Sequence, residues 1–130
     1  MKKLLAISLA LLVAGLAACS DAGDELPPIP SQHWNGMDVR IETHPNPPLA
    51  GMSEVVVIVT GTRGRPVHDL IVSLRAGDSA PWVQTVQDGH IGVYRRGVNI
   101  GFGESTVLQV QIQRGKEQQV LLFPLKLAAG

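Results

Sequence analysis

Leu108-Gln109-Val110-Gln111-Ile112-Gln113 alternates an apolar with a polar side chain at every step. Only an extended strand sends such a pattern to two opposite faces, one dry and one wet. The turn-forming Arg114-Gly115-Lys116 follows, and then Leu121, Phe123, Leu125 and Leu127 share one face of a second run. The pair reads as an antiparallel hairpin. Pro124 lies inside the second run and donates no ladder hydrogen bond, so that strand belongs at a sheet edge.

The same grammar extends upstream. Val39 and Ile41 alternate with Asp38, Arg40 and Glu42, and Val55 to Val59 form a continuous β-branched run of the kind a buried strand needs. Leu70, Val72 and Leu74 alternate in turn. Thr62-Arg63-Gly64-Arg65-Pro66, Asp88-Gly89 and Gly101-Phe102-Gly103 punctuate these runs. The reading gives about seven strands, over 38–43, 53–61, 68–76, 81–87, 91–97, 104–114 and 117–127. Short strands at regular spacing predict an all-β chain folded as an antiparallel Ig-like β-sandwich. Antibody domains carry a Cys…Trp…Cys pattern, which this chain lacks.

The amino terminus has a different character. Met1-Lys2-Lys3 precedes an apolar run from Leu4 to Ala18 that closes on Leu16-Ala17-Ala18-Cys19. A run of 15 residues falls short of the roughly 20 that span a bilayer, whereas a charged start, an apolar stretch and small residues before a cut describe a signal peptide. The last four residues closely resemble the lipobox of bacterial lipoproteins. That resemblance implies cleavage before Cys19 and attachment of lipid, palmitate among its acyl chains, at the Cys19 thiol. Ser20 stands where an Asp commonly retains Gram-negative lipoproteins in the inner membrane. The resemblance therefore implies the outer membrane, facing the periplasm, in a Gram-negative host.

The expected organisation is a lipoprotein signal peptide over 1–18, a lipidated Cys19 with a flexible tether over 19–37, and the sandwich over 38–130. Three prolines, two glycines and three acids between Ser20 and Gly36 argue against a helix or a central strand there. Without residues 1–18 the chain keeps nine basic and eleven acidic residues, a net charge of −2. That balance argues against nucleic acid and against a basic patch on anionic lipid. Cys19 is the only cysteine, so a lipidated chain has no disulfide and no thiol chemistry. No nucleophile elbow, HExxH, P-loop or dinucleotide fingerprint occurs, and the expectation is a protein that is not an enzyme.

A family resemblance rests on the order of turns and strands. Pro45-Asn46-Pro47-Pro48-Leu49-Ala50-Gly51 precedes the valine run, Gly64-Arg65-Pro66-Val67 leads into Leu70–Leu74, and Asp88-Gly89 precedes Gly92-Val93-Tyr94. Over about 38–114 this resembles the YtkA-like and FixH-like group of bacterial envelope β-sandwiches. The chain departs from that group at Ser79-Ala80-Pro81-Trp82, where no Met- and His-rich stretch occurs.

Four histidines invite a copper or zinc site. His68 and His90 are the first choice, since turns at one end of a sandwich can converge, with Met52 and His44 as further ligands. The alternative is four separate surface histidines, because no pair has strand or helix ligand spacing. Trp34 is either an interface anchor or a side chain folded back on the domain. Arg95-Arg96 reads as a small basic contact patch or a solvated strand end, Trp82 as core, and Tyr94 as core with its hydroxyl bonded to a nearby loop. The function expected from these features is a membrane-anchored periplasmic module that binds another envelope protein. The alternative is a periplasmic protein that handles copper or zinc.

Overall fold

The computed structural model describes residues 28–101 and 105–128. Nine strands occur among them: β1 Gln32–Trp34, β2 Met37–His44, β3 Met52–Thr60, β4 Ile71–Ala76, β5 Val83–Gln84, β6 Val86–Gln87, β7 Val93–Asn99, β8 Ser105–Arg114 and β9 Glu117–Lys126. They form two antiparallel sheets, a five-stranded one ordered β1-β2-β3-β7-β6 and a four-stranded one ordered β5-β4-β8-β9. Apart from β1, the order matches the A-B-E-D and C′-C-F-G arrangement of Ig-like sandwiches.

The core lies between the sheets. Val55, Val57 and Val59 of β3 face Val72 and Leu74 of β4, Leu108, Val110 and Ile112 of β8 and Phe123 of β9, all at 1% exposure or less. Each such side chain contributes about 1.5–3 kcal/mol by leaving water. Aliphatic packing thus occupies the centre that a disulfide holds in antibody domains. The valine run is buried on both sides, since Val56 points outward yet is 2% exposed. Its ladder neighbours are Glu42 on one side and Arg95 on the other, and long arginine stems cover apolar surface while their heads stay wet. Pro124 sits on β9, at the edge of its sheet, as its missing donor requires.

Three expectations need correction. First, the expected tether over 19–37 runs into the fold. Gln32–Trp34 pairs with Met37–Val39 as a hairpin, closed by Asn35 and Gly36 at φ 49° and 74°. Positive φ at both central residues is the type I′ turn that suits strand twist, and Asn-Gly is its preferred dipeptide. Side chains of β1 reach the other sheet: Gln32 donates to the Leu122 carbonyl and Asn35 donates to Glu117. Residues 1–27 lie outside the described residues, and with them the expected signal peptide over 1–18 and the expected lipidation site, Cys19.

Second, the strand expected over 81–87 is two strands in different sheets. Val83–Gln84 pairs with β4 and Val86–Gln87 pairs with β7. Thr85 makes the crossing, with both its backbone N–H and its hydroxyl donating to the Val72 carbonyl at 2.8 Å. Third, Trp82 is half-buried rather than core, with the Arg75 guanidinium 4.5 Å above its ring.

Candidate functional site

The register divides the predicted ligands between two ends of the sandwich. Ile58 pairs with Val93 and Met52 pairs with Asn99, so six residues, about 20 Å of strand, separate the two ends of the β3–β7 ladder. Met52 and His44 stand at one end, beside the segment 45–51. The segments 61–70 and 88–92, with His68 and His90, stand at the other. A single site built from His68, His90, Met52 and His44 is therefore ruled out. No group of three His, Cys, Asp or Glu side chains that could hold a metal occurs among the described residues.

His68 and His90 do converge, with ring centres 5.2 Å apart and planes tilted by 51°. Gly92 makes this possible. At φ +77° it lies so close to the neighbouring segment that a Cβ there would meet the Val59 carbonyl oxygen at 2.5 Å and the Val67 nitrogen at 3.1 Å. Only glycine lets the two segments touch. Hydrogen bonds then fix them: Val59 N–H to the Gly92 carbonyl at 2.9 Å and Val67 N–H to the Val59 carbonyl at 3.0 Å. The Gln87 amide donates to the His68 carbonyl at 2.7 Å. The Tyr94 hydroxyl donates to the Val67 carbonyl at 2.9 Å, the loop bond expected for it, and burial pushes its phenol upward from the ordinary range.

Arg95 and Arg96, read as a contact patch or a solvated strand end, do not stand side by side. Neighbouring strand residues point to opposite faces, and Arg95 is engaged by Asp88 at 3.0 Å and Glu54 at 3.3 Å. The hydrogen bond to Asp88 holds its guanidinium more firmly protonated than an isolated arginine. Arg96 is exposed and lines a cavity with Arg75 and Met52. Trp34 also departs from an anchor role, since it is half-buried and packs against the core.

The outer faces of the two sheets differ in charge. The five-stranded sheet turns out Asp38, Arg40 and Glu42 from β2, Glu54 from β3 and Arg95 from β7, along with the exposed apolar Met52 of β3 and Val86 of β6. The four-stranded sheet turns out Ile71 and Ser73 from β4, Val107, Gln111 and Gln113 from β8, and Gln118, Val120, Leu122 and Pro124 from β9. Ile71, Val107 and Leu122 are 47%, 42% and 53% exposed; Leu122 and Val107 lie toward one end of the β8–β9 ladder and Ile71, opposite Gln113, toward the other. Charge is confined to its margins. At one end Arg75 and Asp78 are both tied to Gln109, at 2.8 and 2.6 Å, and Lys126 lies at the end of β9.

This face was open to sequence reasoning and was missed. The outward positions of the opening hexapeptide are glutamines, where a strand facing only water commonly carries lysine or glutamate. The Asn35-Gly36 signal for β1 was missed in the same way, because the prolines before it dominated the reading.

No family model, no curated protein and no solved structure matches this chain.

Proposed function

We propose that the protein is a lipid-anchored module of the bacterial envelope that works by docking to another envelope protein and not by catalysis. The observation that carries this reading is the sparsely charged outer face of the four-stranded sheet, where Arg75 and Lys126 stand near strand ends and glutamine, serine and aliphatic side chains fill the rest. Interface cores are depleted in charge, and contiguous exposed apolar area marks contact sites. Glutamines add donors and acceptors that pair with a partner's backbone or side chains at a lower desolvation cost than ions. The resemblance of the turns to YtkA-like and FixH-like sandwiches, and of Leu16–Cys19 to a lipobox, supports the envelope setting.

The anchor and the face fit together sterically. Pro28, Ile29 and Pro30 lie against Asn46–Pro48, Leu125 and Lys126 around a cavity of about 300 Å³. The chain thus enters at the end opposite His68 and His90. Eight residues separate Cys19 from Pro28 and span at most about 29 Å. On that leash an anchored domain stays close to the bilayer, with the end that carries segment 45–51 nearest the attachment of the chain.

Site-specific photocrosslinking in the native envelope tests the reading. A crosslinker replacing Gln111 is expected to yield one discrete adduct, and one replacing Arg40 on the other face is expected to yield none. No adduct from Gln111, or the same adduct from both faces, would remove the support. A Cys19→Ala chain should leave the membrane fraction; continued sedimentation with membranes would overturn the anchor.

A further inference from the structure

We propose that His68 and His90 bind one Zn²⁺ ion at the end of the sandwich farthest from the chain's entry. The ring separation fits such a site. With Zn–N bonds near 2.0 Å, an imidazole places its ring centre about 3.1 Å from the metal, and at the tetrahedral angle two ring centres stand about 5.1 Å apart. The same arithmetic at a square-planar right angle gives about 4.4 Å. The observed separation is 5.2 Å, the tetrahedral value.

The backbones that carry the pair are also held together before any ion arrives. Gly92 brings the two backbones into contact, and the Tyr94 hydroxyl and the Gln87 amide bond the backbone on either side of the His68 Cα. Both rings are exposed, so an ion reaches them without displacing core. The nearby carboxylates are engaged elsewhere, Asp69 with Arg114 and Asp88 with Arg95, each at 3.0 Å. The protein therefore supplies two neutral nitrogen ligands, and water completes the tetrahedron. Imidazole is a ligand type that suits zinc among the borderline metals. The site does not depend on the docking face, which lies on the outer surface of a different sheet from β7.

The test uses the untagged full chain in detergent, which has four histidines, titrated with zinc chloride. Histidine-selective NMR is expected to show the ring signals of His68 and His90 shifting together while those of His33 and His44 stay put. Calorimetry is expected to give one ion per chain, with affinity at least tenfold weaker in His68→Gln and in His90→Gln and unchanged in His44→Gln. Both residues are exposed, so the two variants should melt with the parent, which separates loss of a ligand from loss of fold. Equal shifts at all four histidines, or a His68→Gln/His90→Gln chain that binds as tightly as the parent, would overturn the site.

Discussion

The two sheets share one core but present opposite chemistry outward. The five-stranded sheet shows water alternating signs of charge, tied together where Arg95 bridges Glu54 and Asp88. The four-stranded sheet shows glutamine, serine and aliphatic side chains over most of its area. Both satisfy the period-2 rule for a half-buried strand, so folding alone does not account for the difference. A charged face keeps a domain soluble and unattached, whereas a neutral face with exposed Ile71, Val107 and Leu122 has a cost in solubility that contact with a partner offsets. The contrast is what the proposed contact surface rests on.

The comparison holds only if the faces differ outside a common interior. Phe123 lies inward from β9 and is fully buried, packed in the cluster that includes Val57 and Val59 of the opposite sheet. Phe123→Ala is expected to cost about 3–5 kcal/mol in a urea titration, with fluorescence and far-ultraviolet circular dichroism melting together. Separate transitions would mean that the sheets are not one cooperative unit.

The interior was legible because burial imposes period 2 on every strand that touches it. Leu108–Gln113 therefore declared itself from sequence, and Val55–Val59, buried on both faces, did so as an unbroken β-branched run. The Asn35-Gly36 turn and the crossing at Thr85 did not, for a different reason. Two or three residues are too few to show a period, and both features depend on partners distant in sequence: Leu122 and Glu117 for β1, and Val72 for Thr85. The meeting of His68 and His90 was legible only as a possibility of loop convergence. The contact depends on Gly92 lying against Pro66 and Val67, a tertiary approach that no local pattern encodes. The separation of Met52 and His44 from that pair required the register.

On the neutral face, Gln111 lies between Ser73 of β4 and Val120 of β9. Gln111→Arg places a charge at the centre of the proposed contact. Capture of the envelope partner is expected to fall by at least tenfold, about 1.4 kcal/mol, while the urea midpoint shifts by no more than about 0.5 kcal/mol. Equal capture by parent and variant would move the contact off this face.

A smaller effect is expected just inside the charged sheet. Thr43 is 2% exposed, and its hydroxyl has no hydrogen-bond partner among the described residues. Thr43→Val removes the unpaired group at nearly constant shape and is expected to stabilise the fold by about 1 kcal/mol. A loss of stability on chemical denaturation would show that the hydroxyl is satisfied by solvent in the adjoining cavity, which Pro28 and Ile29 also line.

The smallest effect belongs to the charged face, and it is the one that sharpens the comparison most. Arg95 makes two ion pairs, yet it and both its partners stay substantially wet. Exposed pairs gain little over hydration and are weakened further by salt. Arg95→Gln is therefore expected to leave the melting temperature near that of the parent and partner capture unchanged, measured beside Gln111→Arg at matched ionic strength. If capture fell for Arg95→Gln and not for Gln111→Arg, the roles of the two faces would be reversed: the charged sheet would recognise the partner, and the glutamines would only be solvent-facing residues of a strand.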